Sequence, residues 1–302
     1  MEKQKIKKEL AKRVSTPVLE DEPLSRHTTW KIGGPADFLI EPRSIEELSE
    51  VIHFLKVNSL NFRVIGNGSN ILALDKGFRG VIIKTKKINK VEFCPDGKVF
   101  AEAGILLPAL TAKALLFEFS GFEEFVGIPG TVGGAVRQNA GAHEKEIKDV
   151  VKKIWAVNEK GGILEFLAAD CNFNYRTSRF KEERLWVVKA EFSLRPGNKE
   201  EILEKIRNYR QKRKASQPLE YHNAGSVFKN PAGIPAWRLI QEAGAQGLKK
   251  GGAVVSKKHA NFIVNTGGAT AQDVLYLINK IQEMVWNKFS IKLLLEVEIL
   301  GE

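Results

Sequence analysis

Cysteine is nearly missing from this sequence: 302 residues hold two, Cys94 and Cys171, far apart. They fit no disulfide framework, no zinc spacing and no redox motif, which leaves two reduced thiols in a cytoplasmic protein as the expectation. Histidine is sparse as well. His27, His53, His143, His222 and His259 are scattered without metal-ligand spacing, so no metal site is expected. No apolar run approaches the length of a membrane span, which speaks against membrane insertion. The opening MEKQKIKKELAKR is charged with no apolar stretch behind it, unlike a secretory signal. The chain also has no G-x-G-x-x-G fingerprint, no Gly-x-Ser-x-Gly elbow, no internal repeat and no low-complexity segment.

What is present is an ordinary globular composition, 43% hydrophobic and 27% charged, in a chain long enough for two or three domains. The 47 basic and 36 acidic residues leave a net charge of +11. Nucleic-acid binding is one reading of that excess. Because the basic residues are spread along the chain, solvated faces or small ligands carrying several phosphates account for it better.

Acidic residues are absent from Phe125–His143, FVGIPGTVGGAVRQNAGAH, where five glycines stand among Val126, Ile128, Val132, Ala135 and Val136. Glycine at that density suits backbone amides that approach an anion closely, and a nearby carboxylate would oppose them. The threaded apolar residues mark the loop as packed rather than as an exposed connector. A second such loop, GNGSN at Gly66–Asn70, follows directly on the strand pattern Phe62–Ile65. Together the two read as halves of a phosphate clamp.

Taken in order, Lys3–Arg13 reads as a mostly solvated helix, and Phe38–Ile40 as a buried strand. Ser44–Glu47 reads as a capping box for an amphipathic helix bearing Leu48, Val51, Ile52 and Leu55. Gly80–Ile83 closes a β-α-β-like unit. From Val91 short alternating segments predict a mixed or antiparallel sheet, interrupted by a helix over Leu107–Ser120 and turned at Glu159–Gly162. Pro196-Gly197-Asn198 is the best boundary candidate, followed by a charged helix over Glu200–Lys214. The last third predicts a helix over Ala236–Ala243, a strand over Asn261–Asn265 and a long helix capped by Thr270–Asp273. A final strand runs over Ile291–Leu300. Without strict βαβ alternation, α+β fits better than a doubly wound sheet.

Three stretches carry candidate chemistry. In FNYRTSRF, Arg176 stands among aromatics and hydroxyls, where its fork could clamp a carboxylate or phosphate. In GSVFKNP, Ser226 has Lys229 and Asn230 close behind; a hydroxyl acting as a proton donor, its pKa lowered by Lys229, is one reading and a turn serine the other. In LLLEVEI, alternation puts Leu293, Leu295, Val297 and Ile299 on one face and Leu294, Glu296 and Glu298 on the other, so either carboxylate could be an acid or simply face solvent.

Seven motifs in order, TTWKIGGPAD, GNGSNILALDKGFRGVII, GIPGTVGGAVRQNAGA, FNYRTSRF, AGSVFKNP, KKHANFIVN and LEVEILG, span Thr28 to Gly301. This pattern resembles the UDP-N-acetylenolpyruvoylglucosamine reductase family, in its shorter branch without an extra tyrosine-bearing loop. The resemblance implies an N-terminal helical extension at 1–27 and a two-part FAD-binding region of the vanillyl-alcohol-oxidase (PCMH) type at 28–195, with parts at about 28–86 and 87–195. A C-terminal α+β substrate domain would follow at 196–302, its last strand returning to the active site. Non-covalent FAD would lie on Gly66, Asn67, Gly68, Ser69 and Asn70 in one loop, and on Gly130, Thr131, Gly133, Gly134, Asn139, Ala140 and Gly141 in the other. Family chemistry implies NADPH as co-substrate and UDP-N-acetylglucosamine enolpyruvate as substrate, reduced to UDP-N-acetylmuramate for peptidoglycan. Carried over by motif, Arg176 neutralises the substrate carboxylate, Glu296 polarises the same group as an acid, and Ser226 donates the proton. Tyr175, Lys229, Asn230 and His259 would meet the substrate. The sequence departs from the family at Leu295, where a proline or polar residue is common. The resemblance favours Glu296 over Glu298, because the family's acid stands five residues before the glycine that Gly301 matches.

A cytoplasmic monomer is the expectation. Another flavin oxidoreductase of the same fold, acting on a sugar or alcohol with flavin linked through His143, is the alternative among enzymes. A basic nucleic-acid-binding module is the alternative outside them, and it leaves the ordered glycine loops without a role.

Overall fold

The computed structural model describes residues 2–231 and 233–302. The chain gathers into two compact units that interleave in sequence. The first takes the chain up to Glu20, Phe38–Asn67 and Gly80–Gln211; the second takes Asp21–Asp37, Gly68–Arg79 and Lys212–Glu302.

In the first unit, helix α1 (Lys3–Ala11) is mostly solvent-facing and anchors through Leu10, which is fully buried in a core with Val14 and Phe38. Helix α2 (Ile45–Val57) buries Leu48, Val51, Ile52 and Leu55, the i, i+3, i+4, i+7 stripe read from the sequence. Its cap is half a capping box. The Ser44 hydroxyl accepts from the Glu47 N–H at 3.2 Å, but the Glu47 carboxylate accepts from the N–H groups of Arg43 at 2.9 Å and Ser15 at 3.1 Å. The acid thus ties the helix start to the segment after α1. The strands Phe62–Ile65 and Phe78–Lys84 pair in parallel from Phe62↔Val81 to Ile65↔Lys84, as the β-α-β-like reading expects.

The larger sheet is antiparallel throughout, in the order Ile163–Leu167, Val151–Val157, Trp186–Ser193, Lys98–Glu102, Val91–Phe93. Helix α3 (Leu107–Leu116) is shorter than the sequence suggests. Glu118 takes a left-handed φ of 56°, and Phe119–Ser120 leaves the helix to pair with Arg195–Pro196. Helix α4 (Val132–Gln138) follows the second glycine-rich loop, and α5 (Arg179–Glu182) is a single turn. Phe122, Phe125, Phe180 and Phe192 are fully buried under this sheet with Val132, Ala135 and Val136 of α4. Helix α6 (Lys199–Ser216) packs Ile202, Ile206 and Tyr209 against Val126. The division between the units falls inside α6, after Gln211.

The second unit is built on helices α7 (Ala236–Glu242) and α8 (Ala271–Phe289), with an antiparallel sheet Lys249–Lys250, Ala253–Val255, Ile263–Asn265. A reciprocal capping box, Thr270 with Asp273, starts α8 as expected. Asp75, distant in sequence, accepts from the N–H groups of Ala271 at 2.8 Å and Gln272 at 3.0 Å. Trp30, Ile32 and Leu72 join the α7 and α8 side chains in one core.

The C-terminal segment corrects the sequence reading. Only Glu298–Leu300 is paired strand, running parallel to Ile71–Ala73. Upstream, the N–H groups of Glu296 (2.8 Å) and Val297 (3.4 Å) both point to the Val227 carbonyl, two residues opposite one, and the chain bends there. The alternation therefore breaks: Leu293 and Val297 are buried, but Ile299 is exposed and Leu300 buried. Glu296 and Glu298 do not share a face by strand alternation.

Candidate active site

The two glycine-rich loops meet within the first unit through Gly66–Asn67 and Pro129–Thr131. The Asn67 side-chain N–H donates to the Pro129 carbonyl at 2.7 Å, and a Cβ on Gly66 would run into the Thr131 hydroxyl. That hydroxyl is buried and lacks a hydrogen-bond partner among the described residues. An orphan of this kind costs about 1–3 kcal/mol unless a ligand satisfies it. The adjacent glycines differ in purpose. A Cβ on Gly133 would lie 2.8 Å from the Ala103 Cβ, so Gly133 lets α4 pack on the sheet. A Cβ on Gly134 would meet only the Thr131 hydroxyl, at 3.7 Å, and so would point into open space.

Both glycines line a cavity of about 270 Å³ in the first unit. Its wall includes the strand Phe62–Ile65, the cations Arg63, Arg137, Lys181 and Arg184, and the rings of Phe62, Phe180 and Trp186. Cations and glycine backbone suit phosphates, and the rings suit a flat heterocycle. With the orphaned Thr131 hydroxyl, these residues fit FAD.

Asn139, expected on the cofactor, is instead fully buried. Its side-chain N–H groups donate to the Glu146 carboxylate at 2.9 Å and the Asn174 carbonyl at 3.1 Å, and its oxygen accepts from the Lys148 N–H at 3.1 Å. The Ala140 N–H donates to the Ala135 carbonyl at 2.8 Å, and its carbonyl accepts from the Ile147 N–H at 3.0 Å. The Gly141 carbonyl accepts from an Arg176 terminal nitrogen at 3.3 Å.

Arg176 sits in a tight turn in which Asn174 and Thr177 exchange hydrogen bonds at 3.2 Å. Its φ of 55° is left-handed, and its guanidinium carbon lies 5.0 Å from the centre of the Tyr175 ring. Glu146 faces the guanidinium at 3.6 Å. His143 stacks on the Tyr209 ring at 4.4 Å.

In the second unit the structure brings Ser226, Glu296 and the rest of the first loop together. Gly68 has φ of 65°, and a Cβ there would strike the His27 carbonyl, so this turn takes glycine. The Asn70 side chain donates to the Glu296 carbonyl at 3.0 Å, while its own carbonyl accepts from the Glu298 N–H at 2.9 Å. Ser226 and Ser69 are half-buried. Val227, beside Ser226, accepts from the Glu296 N–H, Phe228 bridges Leu295, and the Lys229 N–H donates to Leu294 at 2.8 Å. The serine and the first acid are therefore held on neighbouring segments. Asn230 uses its oxygen to accept from the Ala236 N–H at 2.9 Å, at the start of α7.

Other polar residues of the second unit lie outside the sequence reading. Asn261 is 3% exposed and clamps the serine segment from both sides: it accepts from the Phe228 N–H at 2.9 Å and donates to the Phe228 carbonyl at 2.8 Å. Its signal was present in KKHANFIVN, where an asparagine interrupts an apolar run. At the end of α6, burial pushes Arg213 down to about 10, and the buried Gln217 side-chain oxygen one turn later has no partner among the described residues. The charged-helix reading hid both. His259 is lowered below its ordinary value by burial, and its Nδ1 accepts from the Asn261 N–H at 3.3 Å, so the neutral ring carries its proton on Nε2. Among the described residues no cluster could hold a metal ion, and no helix is long and apolar enough to cross a membrane.

The UDP-N-acetylenolpyruvoylglucosamine reductase C-terminal domain matches residues 217–300, and an FAD binding domain matches residues 36–167. The chain is 74% identical to a UDP-N-acetylenolpyruvoylglucosamine reductase of Carboxydothermus hydrogenoformans over the whole of both chains. It is 46% identical to one from Caldanaerobacter subterraneus subsp. tengcongensis, covering 93% of each. The crystal structure of the reductase from Thermus caldophilus superimposes with a TM-score of 0.81 at 35% identity, over 94% of this chain and 99% of that one. An alkyldihydroxyacetonephosphate synthase shares the fold alone, with a TM-score of 0.51 at 19% identity over 65% of this chain and 44% of that one. The α+β architecture with an FAD-binding region of the vanillyl-alcohol-oxidase type is thus borne out, and the chain belongs to the UDP-N-acetylenolpyruvoylglucosamine reductase family.

Proposed function

We propose that this flavoprotein reduces UDP-N-acetylglucosamine enolpyruvate to UDP-N-acetylmuramate, with NADPH as reductant, in the synthesis of peptidoglycan precursors. The observation that carries the reading is the pairing of the Ser226 and Glu296 segments, through the Val227 carbonyl and the Glu296 N–H at 2.8 Å, with Asn70 locked onto Glu296. The chemistry that FAD supplies when bound is two-electron transfer from NADPH to the terminal vinyl carbon of the substrate.

The protein's own groups do the rest. Ser226 donates the proton to the carbon next to the new C–H bond, and Asn261 fixes the segment that carries it. Negative charge that grows on the enolpyruvyl carboxylate is met by Arg176, whose fork accommodates two oxygens. Glu296, as an acid, polarises the same group. Tyr175, stacked with Arg176, Lys229 beside Ser226, and neutral His259 as an Nε2–H donor are substrate contacts. We add Gln217 to them, because its buried side-chain oxygen has no partner among the described residues. Gly66, Asn67, Gly130, Thr131, Gly133 and Gly134 hold the FAD phosphates with Gly68 and Ser69, whereas Asn139, Ala140 and Gly141 act from behind the loop. By sequence we assign 28–195 to the FAD-binding region and 196–302 to the substrate region, although 28–37 and 68–79 fold into the second unit; the enzyme is proposed to be monomeric and cytoplasmic and to bind no nucleic acid. NADPH and the nucleotide sugar would use the site in turn, the first leaving before the second enters.

The test is anaerobic. The purified holoprotein is bleached with NADPH, and UDP-N-acetylglucosamine enolpyruvate is then added while flavin absorbance is followed. Prompt return of the oxidised spectrum with one lactyl ether formed per flavin is the expected result. Bleaching without return would refute the substrate assignment.

A further inference from the structure

We propose that Glu146 is a positioning residue for Arg176, fixing the guanidinium that meets the substrate carboxylate; this rests on the role given to Arg176 above. Glu146 and Arg176 face each other at 3.6 Å, with side chains only 20% and 18% exposed. A guanidinium so far withdrawn from water needs a compensating charge held in place. The Glu146 carboxylate is held firmly. Its second oxygen accepts from the buried Asn139 amide at 2.9 Å and from the Lys148 ammonium at 2.8 Å, which stops the group from rotating away. The same Asn139 amide donates to the Asn174 carbonyl at 3.1 Å, two residues before Arg176. One buried side chain thereby couples the carboxylate to the turn that carries the arginine.

The backbone repeats the message. Gly141–Ala142 and Lys145–Glu146 form a two-stranded hairpin with Gly141 opposite Glu146. Its opposed residues present the Gly141 carbonyl and the Glu146 carboxylate to the two terminal nitrogens of Arg176. The hairpin turn, His143-Glu144, has φ of 54° and 64°, the left-handed pair of a type I′ turn that ordinarily takes Asn-Gly. Non-glycine residues in that geometry are strained, and such strain collects where a side chain must be aimed. Stacking of His143 on Tyr209 holds the tip. Glu146 touches neither reacting atom; it acts through the arginine.

Glu146→Gln removes the charge and keeps the shape. In the holoenzyme it is expected to leave FAD content and the rate of flavin reduction by NADPH unchanged. Reoxidation by UDP-N-acetylglucosamine enolpyruvate should slow by about a hundredfold, the scale of a misplaced binding group. Arg176→Met should slow the same step at least as much, and the double variant no more than Arg176→Met alone, since the acid works through the arginine. Wild-type reoxidation in Glu146→Gln beside a crippled Arg176→Met overturns the proposal and leaves the arginine's role intact. Wild-type reoxidation in Arg176→Met overturns that role, and the proposal with it. Should Glu146→Gln lose flavin or fail to fold, Glu146→Asp, which keeps the charge one methylene back, decides. Slowing confined to reoxidation supports positioning; equal losses in both half-reactions with lost FAD show a merely structural residue.

Discussion

A hydroxyl proposed to give a proton to carbon needs a fixed backbone, and the residues after Ser226 are held by Asn261 on one side and Glu296 on the other. Ser226→Ala should therefore leave flavin reduction by NADPH near wild type and slow reoxidation by roughly 10²–10⁴-fold, the usual worth of a positioned acid. Glu296→Gln should affect the same step, and a large effect at Glu298 with none at Glu296 would transfer the acid's role. His259 makes a separate prediction. Its folded pKa lies below the ordinary 6.5 because burial penalises the cation, so the unfolded chain takes up the proton first. Its contribution to stability is complete above about pH 6.5 and is lost as pH falls through the lower folded value. Melting temperature measured from pH 8 to pH 5 should drop more steeply for wild type than for His259→Gln; parallel curves would contradict the assignment. At this scale the motif residues were legible in the sequence, and the asparagines were only half so. Asn139, Asn70 and Asn230 lie inside recognisable motifs, yet each directs its side chain to protein, because an amide's partner is set by whichever distant segment folds against it.

Helices and loops were easier to read where the pattern was periodic. The stripe of α2 appeared as predicted, whereas the C-terminal alternation failed at Glu296–Val297, where two N–H groups point to one carbonyl. A bend of that kind depends on the Val227 segment opposite it, which period-two reasoning along one strand cannot see. The glycine pair at the start of α4 gives the sharpest test at this scale. Gly133→Ala places a methyl 2.8 Å from the Ala103 Cβ and should destabilise the fold by about 1–3 kcal/mol, as overpacking does. Gly134→Val meets no such obstacle, and valine is the better helix former, so the melting temperature without flavin should hold. Its side chain projects toward the cavity instead, and FAD content after purification should fall sharply. Gly134→Val protein with full FAD would remove the phosphate loop from this site; loss of fold in that variant would show that the two glycines serve the same purpose.

At the scale of the whole molecule, the second unit is assembled from three separate stretches of chain. Its core takes Trp30 and Ile32 from the first and Leu72 from the second, all at most 2% exposed, and α8 is capped by Asp75 of the second. The terminal strand Glu298–Leu300 has its parallel partner in Ile71–Ala73, and Leu74 donates to the Leu300 carbonyl at 2.8 Å. Removing one buried tryptophan from a core costs about 3–5 kcal/mol, each large aliphatic about 2–5 more, against a total stability of about 5–15 kcal/mol for a typical domain. A fragment comprising residues 196–302 lacks Trp30, Ile32, Leu72, Asp75 and the strand Ile71–Ala73. It should be unfolded, with dispersed amide signals absent and no cooperative thermal transition. Joining 21–37 and 68–79 to it through flexible linkers should restore a cooperative transition, because the missing core and cap return with them. A fragment 196–302 that melts cooperatively by itself would show that Trp30, Ile32 and Leu72 decorate a core already complete. The sequence could not have announced this dependence: TTWKIGG and NILALD look like parts of the cofactor region in which they are embedded, and only the fold reveals which core they fill.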